Sequence, residues 1–231
     1  MKGGFYLSTL FGVESRTTMD IDTVFRNANF NEETIVKMIS EILSIEIDDD
    51  AKLNCLGIAP IRDEDHYGGF RVGIQVELEN VKELFHIDIV TGDPITPKEI
   101  RYKYKPILGE NYIDLWAYNI ETVLAEKIET ILNRSELNGR MRDFYDVYLI
   151  YTKDFKNINI DNFRKAVDKT FSKREYIGDP LATINLLRDS QSIRSRWRIY
   201  QRKYEYAKSI EFDDILNCIE EMINIIILEN V

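Results

Sequence analysis

The chain predicts an α+β fold: a mixed or antiparallel sheet with helices, followed by a C-terminal helical bundle. Three observations carry that prediction. In the first half apolar and polar residues alternate at period two, most cleanly at Phe70, Val72, Ile74, Val76 and Leu78. After Asn119 the period becomes helical and stays so. A chain of 231 residues that is 44% hydrophobic, with 13 Tyr and 11 Phe, can bury a real core and is not a disordered polymer. Strands gathered first and helices second make an α+β layout rather than an alternating one.

The elements follow in order. Gly3-Gly4 opens a short helix through Phe11, which Gly12 stops. A strand runs from Met19 to Phe25. Asn31 caps the next helix, with Glu32 and Glu33 in its first turn and Ile35, Ile39, Ile42 and Leu43 as its apolar stripe. From Leu53 to about Tyr118 the pattern is strand-like, and Asn80 ends the strand that carries Phe70 to Leu78. Helices are then expected at about 120–136, 141–152, 160–172, 180–204 with a break, and 211–228. The expected domains are 1–118 and 119–231.

Candidate chemistry begins in the first 22 residues. A glycine pair at Gly3-Gly4, after Lys2, bares backbone N–H groups that a phosphate can approach, because no Cβ blocks the way. Read alone it is a plain turn. Downstream, Asp20 and Asp22 share one strand face while Met19 and Ile21 share the other. Asp is depleted in strands, so two on one face ask for a reason, and a divalent cation relieves their repulsion. A solvated edge is the plainer alternative. Asp88 lies on the face of a further strand with His86 and Val90, with Phe85, Ile87 and Ile89 opposite; that suits a third carboxylate meeting the first two across neighbouring strands. Mg²⁺ prefers carboxylate oxygens, so His86 is read as a neighbour and not a ligand. Lys127 falls beside the apolar stripe of Val123, Leu124, Ile128, Ile131 and Leu132. Asp143 and Asp146 share a helix face, and Arg142 lies one turn before Asp146 and could pair with it.

Taken in order, Lys2-Gly3-Gly4, Asp20-Ile21-Asp22, Phe85 to Val90 with the turn Thr91-Gly92-Asp93-Pro94, Ala125-Glu126-Lys127, and Arg140 to Asp146 resemble the AbiEii/AbiGii abortive-infection toxins. These are nucleotidyltransferases of the DNA polymerase β-like superfamily. The resemblance runs from Lys2 to about Ile150. It implies a polymerase β-like mixed sheet whose active site the helical domain completes. It also implies transfer of NMP from an NTP, with Mg²⁺ or Mn²⁺, to RNA, the 3′ end of tRNA being the expected acceptor. Asp20, Asp22 and Asp88 are then the metal ligands, and Asp88 is also a candidate general base. Lys2, Gly3, Gly4 and Lys127 face the triphosphate, Asp143 is essential, and Asp146 of the same segment joins the nucleotide-binding set; Arg16, four residues before Asp20, either neutralises phosphate charge or orients the carboxylates. Family members act as type IV toxins in phage defence, with a cognate antitoxin as implied partner. The family usually places a strand before the Lys-Gly-Gly, so an unfilled sheet edge or a loosely held glycine turn is expected. Gly4 is followed by Phe5-Tyr6-Leu7 where small residues are usual, which would narrow the space for phosphates.

The net charge of −10 argues against a general nucleic-acid coat, though not against a local basic patch. Such a patch exists: Arg188, Arg194, Arg196, Arg198, Arg202 and Lys203 against one acid, Asp189, with Trp197 and Tyr200 interleaved. Cations for phosphates beside aromatics for bases fit an RNA surface; a solvated helix face with its aromatics packed inward fits equally well. Lys98, Arg101, Lys103 and Lys105, with Tyr102 and Tyr104, read either as a second wall or as an edge strand guarded by lysines. No run approaches the ~18 apolar residues of a membrane span and no signal-peptide pattern precedes Gly3, so a cytoplasmic protein is expected. Met222 to Leu228 reads as a buried helix end, and Cys55 and Cys218 as two reduced, buried thiols. Two other functions share the same residues: a catalytically inactive nucleotide- or partner-binding protein, and a nucleotidyltransferase acting on a small molecule.

Overall fold

The computed structural model describes residues 1–18, 20–26, 29–46, 50–61, 68–107 and 109–227; Met19 and Leu228, expected in a strand and in a helix end, lie outside the described residues. The chain divides into two compact units. One comprises Met1–Gly92 with Lys103–Ala117, the other Asp93–Tyr102 with Tyr118–Val231.

The first unit is built on a four-stranded mixed sheet. Its strands are β1 (Asp20–Val24), β2 (Lys52–Ile61), β3 (Gly69–Leu78) and β4 (Val81–Val90), in the order β1-β4-β3-β2. β3 and β4 form a hairpin closed by Glu79 and Asn80, with Leu78 opposite Val81 and Glu79 at φ +51°. That positive φ matches the turn to the twist of its strands. β1 runs parallel to β4, in the register Asp20–His86 and Asp22–Asp88. Helix α1 (Gly3–Phe11) ends where Gly12 adopts φ +88°. Helix α2 (Glu32–Leu43) is capped by Asn31, whose Oδ1 accepts from the Thr34 N–H at 2.9 Å. Buried Ile35 and Ile39 of α2 pack on Val72, Ile74 and Ile89, with Ile58, Phe70, Phe85 and Ile87 around them. One sheet face is therefore consumed by the core, and period-two alternation sends the intervening residues to the other face. β5 (Ile100–Tyr104), of which only Lys103 and Tyr104 belong to this unit, and β6 (Ile113–Ala117) form a separate two-stranded ribbon; in β5 Arg101 and Lys103 are exposed while Tyr102 and Tyr104 are half-buried.

The second unit is helical: α3 (Ile120–Arg134), α4 (Met141–Asp154), α5 (Ile160–Lys173), α6 (Pro180–Asp189), α7 (Gln191–Lys203) and α8 (Phe212–Ile227). The expected break in 180–204 falls at Ser190, whose extended backbone ends α6 and begins α7. Leu124, Ile128, Phe144, Phe163, Trp197 and Ile219 are among its buried residues. Segment Asp93–Tyr102 groups with these helices for identifiable reasons. The Thr96 N–H donates to Thr122 Oγ1 at 2.9 Å, which returns a bond to the Thr96 carbonyl at 3.0 Å. Asn119 Nδ2 donates to the Lys98 carbonyl at 2.8 Å.

Among the described residues no helix is long and apolar enough to cross a membrane. Met222, Ile223 and Ile226 of α8 are buried as expected for a helix end. The two cysteines are both free, but only Cys218 is buried, which pushes its thiol up to about 11; Cys55 is exposed, because β2 is the sheet edge.

Candidate active site

The glycine pair seats side chains that nothing larger would admit. Gly3 has φ +64°, and a Cβ built on it would stand 2.0 Å from Asp22 Oδ2. A Cβ on Gly4 would stand 2.5 Å from Arg16 Nη2. The Gly4 N–H donates to Asp22 Oδ2 at 3.2 Å, and the Lys2 N–H donates to the Asp22 carbonyl at 3.0 Å. The turn is therefore tied to β1 and not loosely held. The Gly4 N–H expected to face a phosphate has a carboxylate as its partner here. Arg16 is buried, and its guanidinium donates to the Thr17 carbonyl.

On the sheet face turned away from α2, parallel pairing brings the predicted carboxylates together. Asp22 stands directly beside Asp88, and Asp20 beside His86, whose Nδ1 lies 3.5 Å from Asp20 Oδ1. The next strand places Arg71 directly opposite Asp88. Arg71 Nε donates to Asp88 Oδ1 at 2.7 Å and Nη2 to Asp88 Oδ2 at 2.6 Å, a fork-to-fork pair. That bond to Asp88 is the chief reason the Arg71 pKa lies above the ordinary range; burial opposes it, and the charges of Asp88, Asp20 and Asp22 add to it. Three carboxylates in neighbouring positions are a donor set that suits a hard divalent cation. Among the described residues, however, no three acidic, His or Cys side chains are gathered as a metal-holding group. Both oxygens of Asp88 are engaged by Arg71. Sequence reasoning missed Arg71, which sits at a polar position of an alternating strand and looks like an ordinary solvated residue.

In the helical unit, Lys127 lies on α3 among buried Val123, Leu124, Ile128, Ile131 and Leu132. Its Nζ is 2.8 Å from Asp143 Oδ1 and 2.7 Å from Asp146 Oδ2, both on α4. The three side chains are 11%, 7% and 0% exposed. Desolvation pulls the Lys127 ammonium down, but Asp143 and Asp146 more than offset it, so its pKa is raised. Lys127 is thus a charged residue throughout the neutral range. Arg140 Nε adds a contact to Asp143 Oδ2 at 3.1 Å. Arg142 donates to the Tyr204 hydroxyl at 3.0 Å, with its guanidinium 5.8 Å from that ring. A second buried network escaped the sequence: Arg174 Nη1 donates to Glu129 Oε2 at 2.8 Å, and Nη2 lies 3.3 Å from Asp93 Oδ2 and 3.9 Å from Glu126 Oε1.

Of the basic residues spread over α6 and α7, Arg188, Arg194 and Arg196 are engaged within their own unit. Arg194 forks onto Asp213 at 2.6 and 3.0 Å, Arg188 reaches Glu220 at 2.6 Å, and Arg196 donates to the carbonyls of Glu136 and Asn138. Trp197 and Tyr200 are buried, Trp197 donating to the Ile210 carbonyl at 3.0 Å. These two rings are core, as the inward-packed alternative had it, and offer bases no platform. Arg198, Arg202 and Lys203 are exposed.

The comparisons with known proteins bear on this geometry. The chain matches, over residues 1–218, the family described as nucleotidyl transferase AbiEii toxin, type IV TA system. In fold it is similar to the crystal structure of JHP933 from Helicobacter pylori, with a TM-score of 0.52 at 13% identity, covering 97% of this chain and 82% of that one. A second H. pylori crystal structure, of a protein assigned as a nucleotidyltransferase, aligns with a TM-score of 0.51 at 12% identity over 97% of this chain and 84% of that one. No match is found among curated proteins. The resemblance carried by five short motifs thus extends over most of the sequence, and the chain belongs to the AbiEii nucleotidyltransferase toxin family of type IV toxin–antitoxin systems.

Proposed function

We propose that this nucleotidyltransferase toxin moves NMP from an NTP onto an RNA hydroxyl, with the 3′ end of tRNA as acceptor. The observation that carries the reading is that Asp20 and Asp22 share one face of β1, with Asp88 in register beside Asp22, on the sheet face turned away from the core. Asp20, Asp22 and Asp88 are the residues that would hold Mg²⁺ or Mn²⁺. Such a cation, when bound, supplies neutralising charge to the transferring phosphoryl group and to the leaving pyrophosphate. Gly3 and Gly4 let the backbone at the start of α1 come close to phosphate oxygens, and Lys2 and Arg16 add positive charge there. The family resemblance assigns Lys127, which Asp143 and Asp146 keep charged, a point charge for the triphosphate. Asp88 accepts the proton of the acceptor hydroxyl. The oxygen then attacks the α-phosphorus, forming one P–O bond as the bond to pyrophosphate breaks. The cognate antitoxin implied by the family is the expected protein partner. On this reading the cytoplasm is where the chain acts.

The test is incubation of the chain with Mg²⁺, total tRNA and each α-³²P NTP in turn, beside Asp20→Ala. Label entering tRNA from one NTP, and lost in the variant, is the expected result. Absence of label while nucleotide still binds would assign the chain to the binding-protein reading. Label entering only small molecules would move the acceptor to that class.

A further inference from the structure

Asp22, Asp88 and Arg71 form a straight row across three strands, each directly opposite the next in register. Asp88 is 17% exposed, while the Arg71 side chain is 50% exposed, so the guanidinium end of the pair is the one with room to move. Among the described residues, its register neighbours on β2 and β3 carry no side chain that could hold it. Ala59 stands opposite Arg71 on β2, and the next position on β3 is Gly73, opposite Gly57. The charges that act on Arg71 among the described residues include those of Asp88, Asp20 and Asp22. A planar guanidinium fork suits phosphate oxygens as well as it suits a carboxylate, and a half-exposed ion pair is weak enough to exchange partners.

We propose that Arg71 is a displaceable counter-ion: it holds Asp88 before substrate arrives, then yields that carboxylate to a divalent cation and turns to a phosphate of the bound nucleotide. The proposal rests on the nucleotidyl-transfer reading and deepens it by adding a positioning residue that the family resemblance did not supply. The fork keeps neighbouring carboxylates from repelling one another in the free protein. It also makes cation binding at Asp88 and nucleotide binding favour each other, because each needs the fork to open.

The test is Mn²⁺ binding to the full chain, followed by electron paramagnetic resonance, with and without a non-hydrolysable α,β-methylene NTP. With no fork to open, Arg71→Ala binds Mn²⁺ roughly fivefold or more tighter than wild type in the absence of nucleotide, and it binds the analogue weaker by a similar factor. Those opposite shifts are not what loss of a merely structural arginine produces. Arg71→Lys keeps the charge without the fork and falls between the two, and it serves as the test if Arg71→Ala does not fold. Equal or weaker Mn²⁺ affinity in the folded variants overturns the proposal while leaving the transfer reading intact, provided that Asp20→Ala abolishes Mn²⁺ binding in the wild-type background. Mn²⁺ binding indifferent to Asp20→Ala would overturn both.

Discussion

The two charged clusters of this protein are built on opposite principles. On the sheet face, Asp20 is 40% exposed and Asp88 is held by a half-exposed arginine. In the helical unit, Lys127, Asp143 and Asp146 are nearly sealed from water and bonded to one another. Charges of the first kind are held cheaply and can rearrange, which is what binding and releasing a substrate requires. Charges of the second kind are costly to bury and costlier to orphan, because removing one partner strands the others in a medium of low polarity. The first cluster is therefore expected to report on chemistry almost alone, and the second on stability as well.

Lys127→Met should show the largest effect. Two buried carboxylates lose their shared cation, and urea unfolding should register a loss of about 3–5 kcal/mol. Adding Asp146→Leu should recover part of it, since one uncompensated charge then disappears. A loss below about 1 kcal/mol, the range of exposed pairs, would break the comparison. Asp20→Ala is the converse. Labelling of tRNA should fall about 10²–10³-fold, the scale of removing one electrostatic element from an active site. Its unfolding free energy should stay within about 0.5 kcal/mol of wild type, as for an exposed substitution.

Gly3→Ala sharpens the contrast by striking backbone and site at once. A left-handed alanine costs about 1–2 kcal/mol, and here its methyl also meets the Asp22 carboxylate, so thermal stability and transfer should fall together. The smallest effects should come from α7. Arg194→Ala loses a fork on half-exposed Asp213 and should cost about 1 kcal/mol or less, with the salt dependence of tRNA binding unchanged. Arg198→Ala and Arg202→Ala should leave stability within about 0.5 kcal/mol, while the salt dependence of tRNA binding should decrease by about one for each cation removed. If the salt dependence follows Arg194 instead, the division of α7 into internal and external cations is wrong.

What the sequence could reveal depended on whether the responsible force was local. The Asn31 cap, the alternation of β3 and the shared face of Asp143 and Asp146 are set by neighbours within a turn or a strand. Period two told that Asp20 and Asp22 share a face, and the resemblance suggested that Asp88 joins them. Which strand lies beside β1, and in what register, depends on pairing across 65 residues of chain, as in the Thr23 to Asp88 contact. Arg71 and Arg174 were silent for the same reason. Arg174 sits in a polar run at the end of α5 and finds Asp93 at a separation of 81 residues. For the basic stretch of α6 and α7 an RNA surface and an inward-packed helix face stood equally open, because composition counts cations but not the acids of α8 that engage Arg188 and Arg194.

The sealed Lys127 triad also bears on how such a toxin can be lost by mutation. In a cell without its antitoxin, selection would favour any allele that silences the chain. Substitutions at Asp20 or Asp22 would leave a folded, abundant and inert protein. Substitutions at Lys127 or Asp146 would raise the unfolded fraction and expose the chain to proteases. Two genetic routes to the same survival would thus leave opposite marks on protein abundance, one accumulating an inactive toxin and the other clearing it.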